Sequence, residues 1–531
     1  MKPVLTIAAA GVLALSLAAC GGQPSGPAAG GGQTFANGKT FTMVLAADPG
    51  NLDPHLTALS VTLQVDRFLY DSLLNTNEKG DLVAGLADKW EATTTSATFT
   101  LRKGVTCSDG AALTAAMVAA NINFIGDPNN ASARMGVWVP PGATATADDA
   151  AGTVTVTSPT PSAFLERSLG STQIVCDKGM KDRGLLKQNA VGTGMFTMAE
   201  AVPGDHYTLE RRKDYAWGPG DWKADQQGLP DRVVLRVISN ESTAANLLVA
   251  GEVNASGFIG PDQQRLQGQN LHQRDVSAML GELWFNEKAG LPGADEAVRR
   301  ALTQALDLEQ LRAALTSGTG KPATGLVSPS LSPCEQSDAP AKLPTHNVEE
   351  AKSALDAAGW RAGGDGIRAK DGTRLSITFY FLTELGSTMQ ATAELVQKFW
   401  QAVGAEVTTK GAGQAEINQV VVGGQGSWDA VMLPLNTGLP SDLVPFFSGP
   451  TPPNGTNFAG VQNAEYAAAV QQASAVAGAA GCPQWNAAEQ ALTSNVDVVP
   501  FAYTNRPVFG KGAIFELSEG SVAPGSIRML G

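Results

Sequence analysis

Hydrophobic and polar positions alternate most cleanly over residues 97–105. Phe99 and Leu101 fall on one side and Thr98, Thr100 and Arg102 on the other, the two-residue period of a half-buried strand. Ser108-Asp109-Gly110 breaks the run as a turn, with glycine free to take a positive φ. From Thr114 the period becomes helical. The Thr114 hydroxyl can accept an orphan first-turn amide, and Met117, Val118, Ile122 and Ile125 then share one apolar face. The same alternation of elements recurs along the chain. The pattern predicts strands over 40–47, 153–157, 232–239 and 375–382. It predicts helices where Val61, Val65, Phe68 and Leu69 share a face, over 241–251 with a glycine stop, and over 389–403. The strongest amphipathic run, 295–315, reads as a single helix capped by Asp295, with Val298, Leu302, Ala305 and Leu306 inward. Another helix starts at Asn347, with Glu350 as its reciprocal capping partner, and stops at Gly359. Residues 126–150, polar and containing Pro140-Pro141, read as a loop or insertion. Strands alternating with helices make this an α/β chain.

Length changes the picture from one domain to two or three, since the chain has 531 residues. A content of 43% hydrophobic and 16% charged residues marks it as globular. The net charge of −13 argues against a nucleic-acid partner, because no basic stripe is present to neutralise phosphates. Lys2 and the short apolar run 4–17 form a leader too short for a comfortable membrane span. The leader ends in Leu17-Ala18-Ala19-Cys20, which resembles a bacterial lipobox and implies a signal peptide over 1–19 with Cys20 acylated. Residues 20–36, rich in Gly, Pro, Ala and Ser, read as a flexible tether.

Candidate chemistry is sparse. Besides Cys20 there are Cys107, Cys176, Cys334 and Cys482, an even number with three possible pairings in a compartment that permits disulfides. No Cys or His spacing supports a metal, and the four His, at 55, 206, 272 and 346, are scattered. No zinc-protease, nucleophile-elbow or phosphate-loop motif occurs. Gly192-Thr193-Gly194 fails as a dinucleotide loop because Thr197 stands where the third glycine is needed. The sequence therefore gives no cofactor and no enzyme. A secreted hydrolase of peptides or glycosides, using an unrecognised carboxylate pair, is the alternative, and a surface lipoprotein without a transport role is another.

Leu86, Ala87, Trp90, Phe99, Leu101, Arg102, Gly104, Val105, Asp109, Gly110, Leu113, Thr114, Ala115 and Val118 stand at fixed spacing. In this they resemble the family 5 extracellular solute-binding proteins of bacterial ABC transporters, the oligopeptide- and dipeptide-binding group. Leu52-Asp53-Pro54-His55, Gly192-Thr193-Gly194-Met195-Phe196, the stretch 209–218, Trp428-Asp429-Ala430 and Val499-Pro500-Phe501 extend the resemblance over about residues 40–510. It implies a two-lobed, periplasmic-binding-protein-like α/β fold of the class with an extra domain, hinged around a central cleft. Domain I would comprise 37–57, 187–283 and 500–531, domain II 58–186 and domain III 284–499. Pairing within domains then implies disulfides Cys107–Cys176 and Cys334–Cys482, since crossed pairs would tie the lobes together. The implied function is that of a monomeric, lipid-anchored receptor on the outer face of the cytoplasmic membrane, in the periplasmic space. It would capture a solute, foremost a peptide, and deliver it to membrane permease subunits served by a separate ATPase chain. By position, ligand contacts fall to Ala58, Leu59 and Ser60, to Leu435, Asn436, Thr437 and Asp442, and to Tyr503. In the oligopeptide-binding relatives an acid just after the Asp429-Ala430 motif holds the ligand's amino terminus. Here the nearest acid is Asp442, so either Asp442 reaches the cleft or the receptor clamps no free amino group; the second is the expectation, with a blocked or modified peptide or another neutral polar solute as ligand. The aromatics of 209–218 are expected to be core or interdomain packing.

Overall fold

A computed structural model describes residues 34–531 apart from 58, 78, 79 and 261. The leader, Cys20 and Ala58 lie outside the described residues. A ten-stranded sheet forms the frame. In one half Thr40–Leu45 runs parallel to Arg232–Val237, which is flanked by the antiparallel His206–Arg211 and Phe196–Val202. In the other half Ser376–Leu382 runs parallel to both Glu406–Ala412 and Ala430–Met432. The halves are joined by two long antiparallel strands, His272–Phe285 and Val498–Gly510, paired from His272 opposite Gly510 to Trp284 opposite Val498.

The two ends of this ribbon are buried in different cores. Phe509 packs beside Val44 and Phe258, whereas Leu283, Phe285, Val499 and Phe501 join a core built on 298–432. Trp284 faces the opposite side of the sheet, into a further cluster with Phe447 and Phe458. Between the ends, Asp275 and Arg506 are exposed. Two packed bodies joined by this ribbon are a two-lobed fold.

An antiparallel four-stranded sheet, in the order Ala87–Ala92, Ser96–Leu101, Thr153–Thr157, Thr144–Asp148, enlarges the first lobe. The helix Ala115–Gly126 covers it, capped as expected by the Thr114 hydroxyl, which accepts the Met117 amide at 3.1 Å. Disulfides join Cys107 to Cys176 within this lobe and Cys334 to Cys482 within the other. Gly194 is fixed by close approach, since a Cβ there would stand 2.3 Å from the Leu69 carbonyl carbon. That explains the glycine pair as packing.

Three local expectations fail. Residues 126–150 are not a loop throughout, because Thr144–Asp148 forms a strand paired with Thr153–Thr157. The run 295–315 is two helices, Glu296–Gln304 and Leu308–Thr316, because the Asp307 side chain accepts the Gln310 amide at 2.9 Å and caps a new helix. The reciprocal half of the box at Asn347 is also absent. The Asn347 amide donates to the Gln304 carbonyl at 2.9 Å, and Glu350 instead accepts from Gln304 Nε2 at 2.8 Å.

Candidate functional site

The helix Ser60–Leu69 shows how the sequence builds the cleft. Val65, Phe68 and Leu69 are buried on one face, while Ser60, Leu63 and Arg67, spaced three and four apart, line a cavity on the other. This chamber, of about 580 Å³, is enclosed by the first lobe and the C-terminal segment. Its wall is aromatic: Tyr70, Trp138, Tyr215 and Trp222 all contribute. Tyr215 and Trp222 meet edge to face with centroids 5.2 Å apart. A second chamber, of about 660 Å³, lies between the lobes. Trp138, Arg167 and Ser168 bound it on one side, and Ser330, Leu331, Leu439 and Asp442 on the other. The chambers communicate, sharing Thr76, Trp138, Ser171 and Glu519.

Among the carboxylates lining these chambers, Asp71 and Asp442 have raised pKa values. Asp71 accepts Tyr215 Oη at 3.0 Å and Trp217 Nε1 at 2.9 Å, and burial pushes its pKa up to about 6 against those bonds. Asp442 sits at the wall of the interlobe chamber. The open void leaves much of its surface accessible, yet the crowding protein around it raises its pKa to about 6. Of the two alternatives read from sequence, this is the one in which Asp442 reaches the cleft wall. The short turn Pro440–Leu443 carries Asp442 back to the wall, although six residues separate it from Asn436.

The other positions read from sequence are spread out. Ser60 lines the first chamber and Leu59 is 60% exposed beside it. Leu435, Asn436 and Thr437 line neither chamber. Instead the Leu435 amide donates to Glu282 Oε2 at 2.6 Å, and the Thr437 carbonyl accepts the Ser328 amide at 2.9 Å. Tyr503 is also displaced from the cleft. It is buried, with its hydroxyl 2.9 Å from the Gly325 carbonyl and 3.0 Å from that of Val327, so it ties the long ribbon to a loop. His55 is structural: fully buried, Nε2 on the Gln173 carbonyl at 2.9 Å, with burial pulling its pKa down to about 4. Sequence reasoning missed the cleft roles of Trp138, Tyr215 and Trp222, and of the hairpin Leu517–Ser518/Ser521–Val522. The aromatic stretch at 209–218 was the available signal for Tyr215. The hairpin's two-residue strands carry no period to read.

Among the described residues no group of His, Cys, Asp or Glu is arranged to hold a metal, and no helix is long and apolar enough to cross a membrane. The cleft presents aromatic faces together with acids and arginines, some of them paired with each other.

Comparison with known proteins agrees with this geometry. A Streptomyces lividans protein, XP55, is 28% identical over 394 residues, 71% of this chain and 67% of its own length. The oligopeptide-binding protein AppA of Bacillus subtilis is 28% identical over 285 residues, 52% of this chain and 50% of its own. A substrate-binding protein from Microbacterium hydrocarbonoxydans, solved with 4-hydroxybenzoate hydrazide, superposes with a TM-score of 0.68 at 26% identity. That match covers 92% of this chain and all of the other. Residues 81–457 match the model of the middle region of the bacterial extracellular solute-binding proteins, family 5, and with most of its length inside that match the chain belongs to this family.

Proposed function

We propose that the protein is the lipid-anchored, monomeric receptor of an ABC importer. It captures a peptide in the interlobe cleft and hands it to a membrane permease whose ATPase is a separate chain. The carrying observation is that the interlobe chamber is bounded by both cores, so a ligand bridging Trp138 on one side and Asp442 on the other binds the closed form better than the open one. Differential affinity of that kind is what drives hinge closure. The domain layout follows the family: 37–57, 187–283 and 500–531 as domain I, 58–186 as domain II, 284–499 as domain III. Acylated Cys20 and the tether over 20–36 hold the receptor at the outer face of the membrane. No catalytic role is assigned, and relatives named for oligopeptide binding support the peptide reading. The aromatic first chamber and the Microbacterium protein favour a second reading, a small aromatic acyl compound.

Native mass spectrometry of the protein with its co-purified ligand tests both readings, followed by calorimetry with tri-alanine and with 4-hydroxybenzoate hydrazide. Peptide mass and tri-alanine binding support the first. Hydrazide binding without peptide binding replaces it with the second. Turnover of either compound would instead favour a hydrolase. Anchoring is tested separately: wild-type protein recovered unacylated in the soluble fraction of a native-like host refutes it.

A further inference from the structure

The tip of the C-terminal hairpin carries an unusual residue. Glu519 and Gly520 form the two-residue turn between Leu517–Ser518 and Ser521–Val522, with φ of +47° and +78°. Such a turn needs positive φ at both positions and favours Asn, Asp or Gly at the first. A glutamate there holds a sparsely populated backbone conformation, so the gain must come from its side chain.

That side chain reaches into the cleft. Its carboxylate pairs with the Arg67 guanidinium on the cavity-facing side of the helix Ser60–Leu69, and accepts Ser171 Oγ at 3.2 Å. Arg167, which lines the interlobe chamber, donates to the Gly80 carbonyl at 2.6 Å, so its charge acts on this carboxylate only at longer range. The hairpin base is pinned apart from this contact. Glu516 accepts Arg274 at 2.5 and 2.6 Å, and Ser518 Oγ donates to the Thr76 carbonyl at 3.0 Å. Glu519 therefore presents a carboxylate to a guanidinium and a hydroxyl at a position that lines both chambers. Its side chain stays 38% exposed, whereas that of Arg67 is 17% exposed.

We propose that Arg67 and Ser171 form a carboxylate-binding subsite of the cleft, and that Glu519 fills it as a tethered competitor that a carboxylate-bearing ligand displaces. The proposal deepens the receptor reading and rests on it. The chemistry is simple exchange: one carboxylate leaves the Arg67 fork and another takes its place, with no bond made or broken. A tethered group competes at high effective concentration, so it lowers apparent affinity for anionic ligands while leaving neutral ones alone.

The test compares wild type with Glu519→Gln and with Glu519→Gln/Arg67→Met, each checked for folding by circular dichroism. Benzoate and benzamide are the probes, followed by calorimetry and by fluorescence of the cleft tryptophans. Glu519→Gln removes the charge at the cleft-facing turn tip and leaves the hairpin's other anchors in place, Glu516 on Arg274 and Ser518 on the Thr76 carbonyl. The expected result is benzoate binding about tenfold or more tighter in Glu519→Gln than in wild type, unchanged benzamide binding, and loss of the gain when Arg67 is also replaced. Benzoate affinity in Glu519→Gln no greater than in wild type overturns the proposal, as does an equal gain for benzamide. Should the double variant misfold, Glu519→Asp decides in its place, with benzoate affinity between those of wild type and Glu519→Gln expected and affinity equal to Glu519→Gln counting against the subsite. Failure of the receptor reading shows differently, as protein that carries no co-purified solute and binds neither tri-alanine nor the hydrazide.

Discussion

Phe164 of the first lobe and Trp485 of the second meet with ring centroids 6.1 Å apart, away from the ribbon that links the lobes. Beside them the Gly478 amide donates to the Ala163 carbonyl at 2.6 Å. Ala473 and the Cys334–Cys482 pair complete the cluster, and Leu439 and Val444, either side of Asp442, pack on it. The same contact that joins the lobes thus supports the wall of the interlobe chamber.

Replacing Phe164 by Ala removes a ring that is 1% exposed, an effect on the order of 3–5 kcal/mol in a single core. Here the loss falls on the closed arrangement, because the ring's partners lie across the cleft. The expected outcome is a larger radius of gyration by X-ray scattering and ligand affinity reduced by at least tenfold, with little change in the melting temperature of either lobe. A fall in melting temperature with unchanged scattering would mean that the contact is ordinary core packing.

The two disulfides should separate under mild reductant. Cys107 and Cys176 are both fully buried, whereas Cys334 is 6% exposed and Cys482 is partly exposed. Each closes a long loop, with separations of 69 and 148 residues. Constraint of the unfolded chain is then at most roughly 4–5 kcal/mol apiece. Thiol labelling during titration with dithiothreitol should modify Cys334 and Cys482 first, and should weaken lobe closure before it unfolds the first lobe. Labelling in the reverse order would contradict the difference in accessibility.

Glu282 gives a pH dependence with a defined sign. It is fully buried, Oε1 has no hydrogen-bond partner, and burial raises its pKa to about 8 despite the bond from the Leu435 amide. The folded state therefore holds a proton that the unfolded chain releases near pH 4.5. Stability attributable to this group is full below about pH 4.5 and is lost as pH rises toward 8, by up to about 1.4 kcal/mol per pH unit. Gln can accept the Leu435 amide without this titration. Glu282→Gln should match wild type near pH 5 and exceed it by about 1–3 kcal/mol at pH 8 in urea unfolding. Parallel curves across that range would show that Glu282 is ionised in the folded protein.

Legibility followed the range of the forces involved. The Thr114 cap and the apolar face of the helix Ala115–Gly126 were readable because each depends on residues three or four apart. The break at Asp307 was hidden because the hydrophobic period continues through it while one side chain recaptures the Gln310 amide. The cleft was legible in outline only. Trp138 lies in a stretch with no period, and its place at the junction of the chambers is set by packing from distant segments. Tyr503 sits on a motif position, but its neighbours at Gly325 and Val327, some 176 residues away, turn its hydroxyl inward.

Asp442 decides what the interlobe chamber selects. Its carboxylate lines that chamber, makes no ion pair among the described residues, and has its pKa raised to about 6 by the protein around it. A ligand ammonium placed there supplies the missing charge and favours the ionised form, so binding such a ligand should release a proton near pH 6 and weaken as pH falls below that value. A charge-assisted hydrogen bond of this kind is worth about 1.5–3 kcal/mol, or roughly 10–100-fold in affinity. Calorimetry of tri-alanine and N-acetyl-tri-alanine, at pH 5 and pH 8, in wild type and Asp442→Asn, separates the cases. The expected pattern is tri-alanine binding that is stronger at pH 8, lost by that factor on acetylation, and lost equally in Asp442→Asn, whose affinity for the acetylated peptide stays at the wild-type level. Equal binding of the two peptides by wild type at both pH values would show that the receptor leaves the amino terminus unclamped.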